Sequence, residues 1–117
     1  MKLQRGFLYT ADLSPSYGTE PGKIRPVLVL QTDLINGSHP STLVCCLTTQ
    51  VKPKVEILRV HLCSGEAGLK KASDIMIDQV RAIDNRRFKR RIGKLSPTRL
   101  QEVARKLGIV LDLPETL

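Results

Sequence analysis

Strand-length apolar runs separated by turn signals fill most of this chain, and only one stretch, near its end, carries the period of a helix. Gly6–Leu13 alternates loosely and reads as a strand. Arg25–Gln31 and Thr42–Thr48 are apolar almost throughout and rich in β-branched residues, as expected of central strands buried on two faces. Glu56–Cys63 alternates and predicts a strand with one wet face. Ile75–Ile83 is another strand, and Arg90–Lys94 a short one. Ser14–Lys23, with its serines, prolines and glycines, is a long exposed loop. Asn36-Gly37 and His39-Pro40 mark turns, and Glu66–Lys71 fits a helical turn. In the last quarter Ser96 is suited to cap a helix and Pro97 to open it. Leu100, Val103, Ala104 and Leu107 then recur at helical spacing, with Arg99, Arg105 and Lys106 off the stripe and Gly108 placed to stop it. Many short strands followed by one helix predict a mainly β (α+β) fold. It is a compact antiparallel β barrel or sheet closed by a C-terminal α-helix, one domain spanning residues 1–117.

Charge narrows the partners. The net charge is +8, and it is unevenly spread: residues 81–106 hold ten basic and two acidic side chains, against nine and seven in residues 1–80. A cluster as dense as Arg86–Lys94 attracts polyanions through its field and through counterion release, which favours nucleic acid over a merely solvated surface. Aromatic residues are too few, at 3% with no tryptophan, for a base-stacking sheet. Three cysteines, Cys45, Cys46 and Cys63, form no CxxC and no even framework, so a reducing cytoplasm is expected. Cys45 and Cys46 point to opposite faces of one strand and read as buried structural thiols. His61 and Cys63 share a strand face, but two ligands do not make a metal site, and no metal or cofactor is expected. No apolar run approaches the ~20 residues that span a membrane, and the first residues do not form a signal peptide.

Three segments, in order and at characteristic intervals, carry a resemblance. They are Arg5-Gly6 with Ala11-Asp12-Leu13, the stretch Gly22–Gln31 containing Arg25-Pro26-Val27, and Asp78-Gln79-Val80-Arg81; Thr48-Thr49 lies between the last two. Together they resemble the MazF/PemK family of bacterial toxins, over Arg5 to about Leu107. The resemblance implies a small CcdB/MazF-like barrel, SH3-like in its core, acting as a homodimer with single-stranded RNA across its interface. It implies a sequence-selective, metal-independent endoribonuclease that uses the 2′-hydroxyl as nucleophile and leaves 2′,3′-cyclic phosphate and 5′-hydroxyl ends. The partner it implies is a MazE-like antitoxin with an acidic, flexible tail. The family's catalytic residues match Arg25 and Thr48. The other reading of the same fold is a CcdB-like gyrase poison, which binds a protein and cleaves nothing.

The residues bear on this chemistry directly. Arg25 begins one apolar run and Thr48 ends the next, so antiparallel pairing brings them to one rim. Arg25 shares a face with Val27 and Val29, and Thr48 with Cys46 and Val44. Pro26 suits the start of a strand, where a missing N–H costs least. A guanidinium fits phosphate oxygens and stabilises charge on a phosphorane, but it is too weak an acid to serve as the base. Thr48 is able to donate to the same phosphate. The proton acceptor stays open; Glu20, a carboxylate near the rim, is either an acceptor or a solvated salt-bridge partner. The expected substrate contacts are Tyr17, Thr19, Glu20 and Lys23 in the first loop, Thr49 and Gln50 after Thr48, Gln79 and Arg81 in the DQVR segment, and Arg86 and Arg87 in the basic run. Thr19 stands where family members often have serine, and the hydroxyl persists. Gln79 also fits a role supporting the ladder. His39, in a turn-rich loop, reads as an ordinary loop histidine.

Overall fold

The computed structural model describes residues 1–114. Its elements are β1 (Phe7–Asp12), β2 (Ile24–Val29), β3 (Ser41–Thr48), β4 (Arg59–Leu62), β5 (Ser73–Asp84), β6 (Phe88–Lys94) and α1 (Pro97–Val110), with single 3-10 turns at Glu66–Gly68 and Asn85–Arg87. The strands form one six-stranded sheet in the order β4-β5-β3-β2-β1-β6, and every pairing is antiparallel. The mainly β fold with a C-terminal helix is therefore as the strand-rich sequence predicts.

The sheet curls so that its two edges approach. The Glu66–Gly68 turn, which follows β4, lies against β6 so closely that only glycines fit. A Cβ on Gly68 would stand 2.5 Å from the Ile92 carbonyl oxygen, and one on Gly93 2.3 Å from that of Ala67. Such an arrangement shields both edge strands from pairing with another chain. Strand alternation sorts the apolar side chains into two clusters. Leu8, Leu28, Leu30, Cys45, Leu47, Ile75 and Ile77 form one, with Val103 of α1. Tyr9, Ala11, Val27, Val29, Val44, Cys46, Ile83 and Phe88 form the other. Successive residues of β1, β2 and β3 thus serve opposite faces.

Helix α1 begins as predicted: the Ser96 hydroxyl oxygen accepts the Arg99 N–H at 3.2 Å, and Pro97 opens the first turn. Arg99 grips Glu66 through two parallel bonds of 3.0 and 3.1 Å, fastening the helix to the edge-closing turn. Gly108 does not stop the helix. The ladder continues to Val110, and Asp112, at φ 53°, takes the left-handed conformation that ends it. Lys106 is not off the buried stripe either. It is only 8% exposed, and its ammonium donates to the Arg59 carbonyl at 2.8 Å. Its long stem allows a buried body with a bonded head.

Several strand boundaries differ from expectation. β4 covers Arg59–Leu62, not Glu56–Cys63, because a turn closed by the Val55 N–H on the Lys52 carbonyl at 3.0 Å holds the preceding residues off the sheet. β5 is longer than Ile75–Ile83 and irregular: Cys45 lies opposite Val80, but Leu47 lies opposite Ile75. The extra residues bend β5, and its first half pairs with β4 on the side away from β3. β6 extends back from Arg90 to Phe88. No helix among the described residues is long and apolar enough to cross a membrane.

Candidate functional site

The β2/β3 ladder runs Val27 opposite Cys46, Leu28 opposite Cys45 and Val29 opposite Val44. Carried outward in the same register, it faces Arg25 toward Thr48 at the rim, the juxtaposition that strand parity predicts. Pro26 is the third residue of β2 rather than its first, yet the ladder to β3 begins only at Val27, beyond its missing N–H. Arg25 and Thr48 line two hollows in common. The larger, of about 400 Å³, lies between the Ser14–Lys23 loop and the residues after β3, and its wall includes Thr19, Glu20, Lys23, Gln50, Lys52 and Arg59. The smaller, of about 290 Å³, is lined by Lys23, Ile24, Pro26, Leu47, Thr49 and Ser73 as well.

Both central side chains are held with donors to spare. Arg25 is half-buried, and its Nε–H donates to the Gly22 carbonyl at 2.9 Å. Among the described residues its two terminal amino groups have no protein partner, and they form the outward fork. Thr48 is 8% exposed, and its Oγ1 accepts the Gln50 N–H at 3.1 Å. That bond occupies a lone pair and leaves the hydroxyl proton to donate elsewhere. Glu20 is the one carboxylate among the described residues lining the larger hollow, which also carries Lys23, Arg25, Lys52 and Arg59. Its Oε1 accepts the Tyr17 N–H at 3.1 Å, which fixes the loop's conformation. The arrangement is a cationic cleft able to hold a phosphate between a guanidinium and a hydroxyl.

The remaining sequence-predicted residues divide. The bend in β5 carries Gln79 to the first loop, where its Nε2 lies 3.5 Å from the Thr19 carbonyl oxygen. Tyr17 is 75% exposed beside the cleft and does not line it. Arg81 lies opposite Val44 on β3, on the face that carries Cys46, and its Nη1 is buried without a hydrogen-bond partner. Arg86 and Arg87 are not in the cleft. They line a separate shallow hollow with Asp12, Asp84 and Lys89, where Arg86 pairs with Asp84 at 3.0 Å. Arg87 instead reaches back to the base of the first loop, donating to the carbonyls of Asp12 and Ser14. His39 lies in an exposed loop remote from the cleft lining.

Burial pushes the Cys46 thiol up to about 11, against the pull of Arg81 and Arg25, which places both guanidiniums within electrostatic reach of that side chain. Burial lifts Cys45 further, to about 12. Both thiols therefore stay protonated and packed on opposite faces, as their adjacency requires, whereas Cys63 is exposed. Two residues escaped the sequence reading. Arg59 lines the cleft although it lies inside Glu56–Cys63, which reads as an ordinary alternating strand. Asp74, fully buried beneath the cleft, accepts the Lys52 N–H at 2.8 Å, Arg59 Nη1 at 3.1 Å and faces His61 Nδ1 at 2.7 Å. Burial alone would raise the Asp74 carboxyl, but those three partners together hold it below the ordinary carboxylate range. An acid flanking an apolar run is the one signal that marked it, and that signal does not distinguish a buried anchor from a solvated strand end.

Comparison with known proteins agrees with this architecture. The family model described as PemK-like, MazF-like toxin of type II toxin-antitoxin system matches residues 4–111. The chain is 35% identical over 113 residues to endoribonuclease EndoA of Bacillus subtilis, covering 97% of both chains. It is 34% identical over 111 residues to endoribonuclease MazF of Staphylococcus saprophyticus, covering 95% of this chain and 92% of that one. Among solved structures, MazF of Deinococcus radiodurans superposes with a TM-score of 0.83 at 28% identity, over 97% of this chain and 99% of the other. Fold and family model thus coincide over nearly the whole described chain, and the chain belongs to the PemK-like, MazF-like toxins of type II toxin–antitoxin systems.

Proposed function

We propose that the chain is an endoribonuclease that cuts single-stranded RNA at selected sequences in the cleft between the Ser14–Lys23 loop and β3. The observation that carries this reading is the pairing of a free guanidinium fork on Arg25 with a free hydroxyl proton on Thr48 in one cationic hollow. Relatives named endoribonucleases at 35% and 34% identity support it. The 2′-hydroxyl attacks the adjacent phosphorus, the P–O5′ bond breaks, and the products carry a 2′,3′-cyclic phosphate and a 5′-hydroxyl, with no metal required. Arg25 and Thr48 are the catalytic pair. Arg25 neutralises charge as it accumulates on the phosphorane oxygens, and Thr48 donates to the same group. Glu20, the one carboxylate among the described residues of the cleft, accepts the 2′-hydroxyl proton, and the departing 5′-oxygen takes its proton from solvent water.

Thr19, Lys23, Thr49, Gln50 and Gln79 contact the nucleotides from the cleft walls, Tyr17 offers an exposed ring for a base, and Arg81 meets a phosphate farther along the same sheet face. The family's place in toxin–antitoxin pairs supports a MazE-like antitoxin whose acidic segment competes for this cationic cleft. We further propose a homodimeric, cytoplasmic toxin folded as a single domain.

Incubation of the purified protein with a long single-stranded RNA in EDTA, followed by mapping of the product ends, tests the reading. Discrete cuts ending in 2′,3′-cyclic phosphate are expected. Arg25→Ala is expected to lower the rate by about 10²–10³, the usual cost of losing one preorganised donor. A folded protein that leaves RNA intact overturns the proposal and favours the gyrase-poison alternative, which a supercoiling assay then examines.

A further inference from the structure

Asp74 lies near the start of β5 with its side chain wholly shielded from solvent. Its Oδ2 accepts the Lys52 N–H at 2.8 Å and Arg59 Nη1 at 3.1 Å, and its Oδ1 lies 2.7 Å from His61 Nδ1. The other ring nitrogen, His61 Nε2, lies 2.9 Å from the Val55 carbonyl oxygen. Arg59 Nη1 also donates to the Gln50 carbonyl at 3.2 Å. One buried carboxylate therefore holds three points of the segment after β3: Lys52 directly, Val55 through His61 and Gln50 through Arg59. Gln50, Lys52 and Arg59 all line the cleft.

The histidine is the variable member of this clasp. Both of its partners, a carboxylate and a carbonyl, only accept hydrogen bonds. A neutral imidazole has one N–H and serves one of them, whereas an imidazolium serves both. The charged groups around the ring are few. Asp74 comes from β5 and Arg59 from its own strand; from α1, Lys106 donates to the Arg59 carbonyl and is itself paired with Glu102 at 3.3 Å. Lys52, Lys54 and Glu56 lie near Val55 in the held segment, and Lys52 joins the clasp through its backbone N–H. The ring is 35% exposed, so protons reach it from solvent.

We propose that His61 and Asp74 are positioning residues that set the shape of the Gln50–Leu58 wall of the cleft and make that shape depend on the protonation of His61. The inference rests on the reading of the cleft as an RNA site. When His61 loses a proton, the remaining N–H stays with the buried Asp74 carboxylate, the stronger acceptor, and the Val55 carbonyl is released. Arg25 is held by Gly22, and Thr48 by Gln50, whose own carbonyl is anchored through Arg59 rather than His61, so neither depends on the Val55 bond. Substrate binding therefore weakens as His61 gives up its second proton, and the chemical step follows its own profile.

Nitrogen-detected NMR of the whole chain over a pH series in which it stays folded, alongside RNA-cleavage kinetics of the wild type and His61→Gln, decides it. The expected result has three parts. Both His61 ring nitrogens carry protons at the acid end, and Nε2 loses its proton first. The Glu56 amide, which shares the Val55 peptide plane, shifts with the same midpoint. The KM for a short single-stranded RNA rises several-fold with pH in the wild type but not in His61→Gln, whose kcat keeps the wild-type pH profile. A neutral single tautomer throughout, a Glu56 amide indifferent to the ring, or an unchanged KM profile in His61→Gln overturns the proposal. If neither protein cuts RNA, the endoribonuclease reading falls, and the ring and amide resonances still judge the clasp.

Discussion

The loop Ser14–Lys23 and the segment Thr49–Leu58 border the same cleft but are fastened by different means. The first is held by bonds at or near the surface. The Leu13 N–H meets the Lys23 carbonyl at 2.8 Å, the Lys23 N–H meets Ser14 Oγ at 3.0 Å, and Tyr17 and Glu20 close a turn on each other. Arg87 grips its base from just before the start of the neighbouring β6. The second hangs from one buried carboxylate with three partners. The difference teaches how a small barrel grades the stiffness of a site. Bonds exposed to water are replaced by water when broken and contribute little net free energy. A buried charge has no such substitute, so its network holds together or fails as a unit.

Removing the buried anchor gives the largest expected effect. Asp74→Ala leaves the Arg59 guanidinium and the Lys52 N–H without their partner beneath the cleft, and we expect a loss of about 3–5 kcal/mol in urea unfolding. Next is acid. The Asp74 carboxyl is held low in the folded protein, burial being outweighed by its Lys52, His61 and Arg59 bonds, and Glu66 is held low chiefly by Arg99. A carboxyl depressed by folding stabilises fully above its unfolded value near ~4 and stops doing so as pH falls through its folded value. Unfolding midpoints measured from neutrality down through that range should therefore drop steeply in the wild type. The drop should be shallower in Asp74→Asn, whose side chain does not titrate.

On the other wall the effects are smaller. Arg87→Ala removes both bonds to the base of the first loop and should cost about 1–2 kcal/mol, read by the same unfolding curves. Faster proteolysis within Ser14–Lys23 should accompany it, with the Thr49–Leu58 segment unaffected. Ser14→Ala should cost least, about 0.5 kcal/mol, because water replaces its oxygen at the Lys23 N–H. If Ser14→Ala and Asp74→Ala proved equally costly, the contrast between the walls would be wrong.

Much of the fold was legible because it rests on local periodicity. Alternation put Arg25 with Val27 and Val29, and Thr48 with Cys46 and Val44, and the observed clusters and register follow that parity. The cap at Ser96 and the stripe through Val103 were legible for the same reason. The errors lie where distant groups intervene. Gly108 reads as a stop only if nothing beyond it sustains the helix, and β4 reads as beginning at Glu56 only if nothing pulls that segment away. Arg86 and Arg87 looked equivalent as neighbours in a basic run; one pairs with Asp84 beside it, and the other reaches 75 positions back in the chain to Asp12.

By itself the sequence determined the element types, the facing of each strand, the meeting of Arg25 with Thr48 and the excess of positive charge. These follow from the two-residue period of a strand, from the 3.6-residue period of a helix and from composition. Only the tertiary structure decided the bend of β5 that carries Gln79 to the Thr19 loop, the closure of the sheet on paired glycines, and the convergence of Lys52, Arg59 and His61 on Asp74. Each of these joins groups far apart in the chain. Their free energy depends on burial and geometry, which exist only once the sheet has curled.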